Sequence, residues 1–252
     1  MFRLGRILGI NVSLHWSLLL LIAFAGLTSG TAALTAAVFG CVLLHEFGHS
    51  LAARQFGIQT DSIVLLPIGG IATLERMPRK PAQELWIAVA GPLVNVVMAI
   101  ALFFALPFIG TVSPASVNWF EYLIAANVFL VLFNMLPAFP MDGGRVLRSV
   151  LAMNMSYVDA TQIAAKVGRF MAFVLGGLGL MYGHFMLMLI AVFVYFAGSA
   201  EARAAVASQV QRDWRGTFRN AFENAPVYRS YRSGDGIVIW DEVAGKYRYA
   251  NC

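Results

Sequence analysis

Two histidines and a glutamate occur in this chain at a spacing that suits a metal ion. The segment His45-Glu46-Phe47-Gly48-His49 follows the pattern HExxH. On an α-helix, residues four apart are offset by only about 40° around the axis, so both imidazoles face one point. Zinc in a tetrahedral site takes histidine nitrogens at about 2 Å. Glu46 is displaced around the helix, so we expect it to reach a water on the metal and to act as a general base.

The composition indicates that this pattern lies in a membrane protein. The 252 residues are 59% hydrophobic and 12% charged, against roughly 45–50% and 25% in an ordinary soluble domain. No Asp, Glu, Lys or Arg occurs in residues 7–44, 85–120 or 170–200, and each run exceeds the roughly 18 residues that identify a candidate span. A water-soluble enzyme, a disordered chain and a disulfide scaffold are therefore excluded.

The apolar runs predict six transmembrane helices, at about 12–28, 32–53, 83–109, 118–138, 164–181 and 184–200. The connections on one side of the membrane, around residues 28–31, 110–117 and 182–184, carry no Lys or Arg. The positive-inside rule then predicts that both termini are cytoplasmic, in a cell (inner) membrane. Residues 1–30 resemble a signal peptide, but the apolar stretch is long and lacks a convincing cleavage site, which favours a retained helix.

The sequence predicts two domains, a six-helix membrane domain at 1–200 and a polar cytoplasmic tail at 201–252. The net charge of +5 would indicate nucleic acid if it formed a patch, but the basic residues follow the positive-inside distribution, so we expect the lipid bilayer and no nucleic acid as a partner. Within the tail, the pattern is compatible with a surface helix over 200–225 and a hairpin over 237–249.

A catalytic zinc usually has three protein ligands, so a third is expected elsewhere in the chain. The acidic candidates near the spans are Glu84, Glu121 and Asp142. His45 lies nine residues before Arg54, about 14 Å below the cytoplasmic boundary at helical rise. Asp142 lies on that same side, Glu84 lies at the cytoplasmic start of the third span, and Glu121 lies near the opposite surface. Depth therefore favours Asp142.

Three further segments carry unusual residues. The loop after the second span contains DSIVLLPIGGIATL at 61–74, which predicts a β-hairpin. The hairpin is either a packing loop or an edge strand for an extended peptide, and the residues do not decide between them. Gly91 in the third span permits close approach of another helix. Two prolines and two glycines predict an irregular segment at membrane depth in NMLPAFPMDGGR, residues 134–145.

Together, HEFGH, PIGG, AGPLVN and NMLPAFPMDGGR resemble the motifs of the site-2 protease family of intramembrane zinc metalloproteases, in its compact six-span form. These motifs cover about residues 40–150, and the layout of spans extends the resemblance to about residue 200. The fold expected is an all-α polytopic membrane protein with six transmembrane helices, a short membrane-associated β-hairpin and a small cytoplasmic tail. Many relatives carry a PDZ domain or CBS modules, and we expect neither of them in these 252 residues.

The resemblance implies site residues and an activity. It implies one zinc ion per chain, with ligands His45, His49 and Asp142, and Glu46 as the catalytic residue. It also implies substrate or transition-state contacts, at Asn134 and, less directly, at Asn95, Gly69 and Gly70. The expected reaction is hydrolysis of peptide bonds in or near transmembrane segments of a membrane protein, as in regulated intramembrane proteolysis. The alternatives are a metal transporter and a catalytically silent binding partner. The oligomeric state is not predicted.

Overall fold

The computed structural model describes residues 1–76, 78, 80–112, 117–223, 228–233, 236–241 and 246–250, with side chains up to residue 207 apart from residue 112. In the described residues the helices are α1 (Trp16–Ser29), α2 (Ala32–Gln55), α3 (Pro81–Val112), α4 (Val117–Asn134), α5 (Asp142–Leu151), α6 (Tyr157–Met181) and α7 (Phe185–Glu223). The strands are β1 (Phe2–Ile7), β2 (Ile10–Leu14), β3 (Thr60–Leu66), β4 (Gly69–Leu74), β5 (Tyr228–Ser233), β6 (Gly236–Asp241) and β7 (Lys246–Ala250).

Five helices of the described part are long and apolar enough to cross a membrane, at Ala32–Gln55, Pro81–Thr111, Val117–Asn134, Tyr157–Met181 and Phe185–Ala207. The predicted first span is only partly confirmed, because α1 has 14 residues. At helical rise, 14 residues extend about 21 Å, short of a hydrocarbon core about 30 Å thick. The His15 side chain caps the start of α1 by accepting from Ser17 N, and Gly30 ends it in the left-handed conformation.

The N-terminal residues form strands that the sequence did not predict. β1 and β2 are an antiparallel pair, β2 runs parallel to β3, and β3 is antiparallel to β4, so the sheet has the order β1-β2-β3-β4. The predicted hairpin is confirmed as β3 and β4. The predicted all-α class with a lone hairpin was wrong on this point, since the hairpin is half of a four-stranded sheet.

The sheet packs on the helix that carries the HExxH pattern. Val12 of β2 and Ile63 of β3 are both fully buried, and they cluster with Phe47 of α2. Phe47 lies between the two histidines in sequence, so its burial turns one face of α2 toward the sheet. The apolar contact therefore determines how α2 is oriented next to β3 and β4.

The segment before Asp142 is irregular as predicted, but the helix resumes earlier than expected. After α4, the chain turns through residues 135–141, with a cis peptide bond between Phe139 and Pro140. Met141 is the extended N-cap residue of α5, and Asp142 is its first residue. The prediction that Gly143, Gly144 and Arg145 are irregular was wrong. A Cβ on Gly143 would collide with the backbone of Met135 and Leu136, so glycine lets the turn fold back onto the helix.

The chain divides into two compact units, Met1–Ala205 and Val206–Cys252. The second unit contains a three-stranded antiparallel sheet of order β5-β6-β7. Its β6 and β7 correspond to the hairpin expected in the tail, and the connecting residues 242–245 lie outside the described residues.

Candidate metal centre

His45 and His49 lie on one face of α2, four residues apart, as the HExxH pattern predicts. Their rings are in edge-to-face contact, with centroids 4.7 Å apart, and the two Nε2 atoms are 3.0 Å apart. His45 is buried, with 4% of its surface exposed. The two nitrogens therefore point at one location inside the protein.

Gly91 of α3 lies against the two histidine rings. A Cβ on Gly91 would lie 2.8 Å from Nε2 of His45 and would collide with the His49 ring. On α2, a Cβ on Gly48 would lie 2.8 Å from the Ala90 carbonyl oxygen. The absence of side chains at both positions lets the two helix backbones approach closely. The prediction of close helix approach at Gly91 is confirmed.

Asp142 supplies the third group, from the first turn of α5. Its Oδ2 atom lies 3.0 Å from Nε2 of His45 and 3.1 Å from Nε2 of His49. The side chain of Asp142 contacts both histidines although it is 97 residues from His45 in the chain. His45, His49 and Asp142 form a group that could hold a metal ion in the described residues.

The chemistry of these three atoms fits a cation. His49 Nδ1 lies 2.6 Å from the Ile87 carbonyl oxygen, which can only accept, so Nδ1 carries the hydrogen and Nε2 of the neutral ring has a lone pair. The carboxylate of Asp142 also offers only lone pairs. Ligands of a tetrahedral zinc at about 2.0–2.2 Å lie roughly 3.3 Å from one another, close to the 3.0–3.1 Å measured here. The donor set therefore fits zinc.

The Asp142 carboxylate is held in its charged form. Burial by itself raises the pKa of this carboxyl, but its close contacts with His49 and His45 outweigh burial and hold the pKa well below its ordinary value. Asp142 is therefore available as an anionic ligand at neutral pH.

A polar chain continues outward from His45. The Nδ1 atom of His45 lies 2.7 Å from Oδ1 of Asn95, on α3. The Nδ2 atom of Asn95 donates to Oδ1 of Asn127, on α4, at 3.0 Å. Both asparagines are fully buried. The substrate contact of Asn95 stays a prediction, and its amide contacts His45 and Asn127.

Glu46 lies directly under the sheet. Its side chain is half-buried, and a Cβ on Gly70 of β4 would lie 2.9 Å from its Oε1 atom and closer still to its Cγ atom. The start of β4 therefore passes over the Glu46 carboxylate with only the space that a glycine leaves. Gly69 precedes it with φ +135°, a backbone conformation that favours glycine.

The other predicted residues have different surroundings. Asn134 is the last residue of α4 and is half-buried, and no hydrogen bond in the described part of the chain joins its side chain to the three predicted ligands. Glu84, a candidate third ligand, instead accepts from Arg148. Glu121 is exposed on α4. Asn127 was missed by the sequence analysis, because an asparagine inside an apolar span carries no motif.

Comparisons with known proteins agree with this geometry. The model of Peptidase family M50 matches residues 33–116 and 110–175. The zinc metalloprotease MJ0392 of Methanocaldococcus jannaschii is 37% identical over 210 residues, which are 80% of this chain and 60% of that protein. Stage IV sporulation protein FB of Bacillus subtilis is 29% identical over 157 residues, 62% of this chain and 53% of that protein. The chain thus spans between half and two thirds of the length of these curated relatives.

A solved structure is also similar. The site-2 protease from Methanocaldococcus jannaschii has a TM-score of 0.61 and 36% identity, covering 80% of this chain and 94% of that one. The family match takes in both histidines of the HExxH pattern and Asp142. The predicted resemblance is confirmed, and the protein is a mostly helical, multi-pass membrane protein. The chain belongs to peptidase family M50, the family of the site-2 proteases.

Proposed function

We propose that this chain is an intramembrane zinc metalloprotease that hydrolyses peptide bonds in or near the transmembrane segments of membrane proteins. The observation that carries the proposal is the convergence of three lone-pair atoms, from His45, His49 and Asp142, within 3.0–3.1 Å of one another. The membership of family M50 and the similarity to a zinc metalloprotease support the same conclusion.

Zinc bound by His45, His49 and Asp142 would supply a Lewis acid that activates water and polarises the scissile carbonyl. Glu46 follows His45 on α2 and lies outside the ligand triangle, so its carboxylate remains free to act as a base. It takes a proton from the attacking water and later delivers this proton to the leaving amine.

The substrate reaches the centre as an extended segment, because a helix hides its peptide bonds in intrahelical hydrogen bonds. β4 is the last strand of its sheet in the described residues and is paired only with β3. Its start lies over Glu46. An unwound substrate can therefore add to the free edge of β4, with Gly69 and Gly70 leaving space for its backbone beside the catalytic glutamate.

Asn134 is proposed as a donor to the substrate. Its half-buried amide at the end of α4 makes no hydrogen bond within the described residues, so its donor is free for the oxyanion or the peptide.

The uneven placement of Lys and Arg supports cytoplasmic termini. Water and products then exchange with the cytoplasm.

The test is the Glu46→Gln variant, reconstituted in liposomes with a panel of single-span membrane proteins. The substituted amide keeps the shape of the Glu46 side chain but cannot take a proton. We expect zinc to remain at one per chain by metal analysis, while the cleavage rate falls by at least about 10²–10⁴-fold. Glu121→Gln is the matched control, since Glu121 is exposed on α4, and it should cleave at the wild-type rate.

Two outcomes would contradict the proposal. One is cleavage by Glu46→Gln at the wild-type rate, since the proposed mechanism assigns the transfer of the proton to Glu46. The other is a wild-type chain that carries zinc across proteoliposome membranes but cleaves nothing, which would favour transport.

A further inference from the structure

The two histidines of the metal centre are oriented in different ways. His49 Nδ1 donates to a backbone carbonyl, that of Ile87, at 2.6 Å. A carbonyl oxygen has no hydrogen, so this contact allows only one tautomer. His45 Nδ1 instead meets Oδ1 of a side-chain amide, that of Asn95, at 2.7 Å. An amide can present either a donor or an acceptor, so the His45 tautomer depends on which way Asn95 faces.

Turning the Asn95 amide over would change the metal site. Nδ2 of Asn95 would then donate to His45 Nδ1, which would have to carry the lone pair. The hydrogen of the neutral ring would move to Nε2, the atom that lies 3.0 Å from Asp142. A protonated Nε2 cannot bind a metal ion. The orientation of Asn95 therefore selects which nitrogen of His45 is free for zinc.

Asn127 determines that orientation. Its Nδ2 atom donates to the Leu123 carbonyl oxygen at 2.8 Å and to Sγ of Cys41 at 3.3 Å. Because the Leu123 carbonyl can only accept, Nδ2 of Asn127 must face it, and Oδ1 must face Asn95. Asn95 then has to present Nδ2 to Asn127 and Oδ1 to His45. A backbone carbonyl on α4 thus fixes the direction of every hydrogen bond up to the metal centre.

We propose that Asn127 is a positioning residue for zinc, because it fixes the amide of Asn95 and through it the tautomer of His45. The inference rests on the proposed zinc site. The relay crosses three helices, from α4 through α3 to α2, and both of its asparagines are fully excluded from solvent. Because both asparagines are buried, water does not compete for the hydrogen bonds of the relay.

A purely structural role predicts something different. Side-chain hydrogen bonds between membrane helices also stabilise packing. In that case, removing Asn127 would lower stability and leave the affinity for zinc unchanged. Removing a positioning residue, by contrast, lowers zinc affinity. Loss of an outer partner of a metal-ligating histidine costs about 10–100-fold in affinity.

The experiment measures the zinc dissociation constant of the full chain in detergent by competition with a chromogenic chelator. Asn127→Leu should weaken zinc binding about tenfold, at the low end of that range, because Asn127 acts through Asn95. Asn127→Asp should bind zinc nearly as the wild type does. Its protonated acid still donates to the Leu123 carbonyl and accepts from Asn95. Asn127→Ala tests the same loss with a smaller side chain if the leucine variant does not fold.

Thr161→Val is the matched control for stability. Thr161 is also fully buried, and its hydroxyl donates to the Tyr157 carbonyl at 2.7 Å within α6, away from the relay. The thermal midpoint of the metal-free protein should fall similarly for Thr161→Val and Asn127→Leu, and only Asn127→Leu should lose zinc affinity.

The inference is overturned if Asn127→Leu and Asn127→Ala bind zinc as tightly as the wild type, or if Asn127→Asp loses as much affinity as Asn127→Leu. If the wild-type chain binds zinc and cleaves, and Asn127→Leu and Asn127→Ala keep its zinc affinity, this inference alone is overturned. A wild-type chain that binds no zinc overturns the proposed function as well.

Discussion

One short helix links two buried polar clusters of opposite kinds. α5 begins at Asp142, which points at His45 and His49. Less than two turns later, Arg148 lies in a second cluster with Glu84 of α3 and Glu201 of α7. Asp142 and Arg148 are 8% and 2% exposed. Both clusters join distant parts of the chain, so burial and distance in sequence do not distinguish them.

The two clusters differ in whether their groups satisfy one another. Arg148 donates from Nε to Glu84 at 2.9 Å and from Nη1 to Glu201 at 2.6 Å. Burial lowers the pKa of the Arg148 guanidinium, but the Glu84 carboxylate outweighs it and raises the pKa above its ordinary value. The cation therefore has its counter-charges within the protein. The metal centre, in contrast, gathers lone pairs that lack a common partner, and only an added cation completes it.

The surroundings of the clusters differ in the same sense. Phe139 and Tyr157 lie against the Arg148 guanidinium, each with its ring centroid 4.9 Å from Cζ. Large side chains thus fill the space around the ion pairs. Around the metal centre the neighbouring positions are glycines, Gly91 beside the histidines and Gly70 over Glu46. The rings of Phe139 and Tyr157 pack against Arg148, whereas the glycines leave room for a ligand beside the metal centre.

The largest effect is expected from Asp142→Asn. Asparagine has nearly the same shape, but it replaces the anionic ligand by a neutral amide. Loss of a residue that hydrogen-bonds to a metal ligand lowers affinity by about 10–100-fold. Because Asp142 is itself a ligand, we expect a larger fall in zinc affinity and loss of cleavage. Chelator competition and metal analysis measure the binding.

Asp159→Asn is the matched control for Asp142→Asn. Asp159 is exposed in the first turn of α6, where its carboxylate accepts from the hydroxyl of the N-cap residue Ser156. This control should keep zinc and cleavage. If Asp142→Asn kept the wild-type zinc affinity, Asp142 would not be a zinc ligand. The contrast between the metal centre and the ion-pair cluster of Arg148 would then be lost.

A large effect of another kind is expected from Arg148→Met, which leaves the buried Glu84 without its cation. Breaking a buried ion pair in this way costs about 3–5 kcal/mol, which corresponds to a fall of the thermal midpoint on the order of 10 °C for a chain of this size. Thermal unfolding in detergent measures it. The chain should bind zinc in proportion to the folded fraction.

The double variant Arg148→Met/Glu84→Leu distinguishes the clusters further. Replacing both members of a buried ion pair by apolar groups of similar volume is often neutral or stabilising. Glu201, whose side chain is 36% exposed, can turn to solvent. The double variant should therefore regain most of the lost stability. A double variant as unstable as Arg148→Met would show that the cluster contributes more than paired charges.

The sequence predicted the metal centre better than the ion-pair cluster of Arg148. Two of the ligands lie four residues apart, so helical geometry alone brings His45 and His49 together. Asp142 was found because a carboxylate at membrane depth is rare and because its motif resembles a known family. Arg148 and Glu84 were not paired, since a charge in a loop near a membrane has an ordinary explanation in the positive-inside rule. Their contact, between residues 64 apart, depends on the fold.

The strands at the N-terminus were missed for a local reason. The turn between β1 and β2 is Leu8-Gly9, with φ values of 52° and 90°. Two-residue hairpins usually carry Asn-Gly or Asp-Gly there, because asparagine and aspartate tolerate a positive φ. A leucine gives no such signal. The parallel pairing of β2 with β3 joins Val12 to Ile63, and no local pattern predicts a pairing over that distance.

The smallest effect is expected from Gly70→Ala, which tests whether the space bordering the metal centre matters. The atoms nearest to the added methyl group would be those of the Glu46 side chain. Zinc affinity should stay at the wild-type value while the turnover number falls about tenfold, since a displaced general base loses a part of its about 10²–10⁴-fold contribution.

Gly177→Ala on α6 is the control, because a Cβ there meets nothing within 4 Å, and it should leave turnover unchanged. If Gly70→Ala also left turnover unchanged, β4 would move aside without displacing Glu46. Gly70 would then serve packing alone, and the metal centre would differ from the ion pairs of Arg148 only in its three lone-pair atoms.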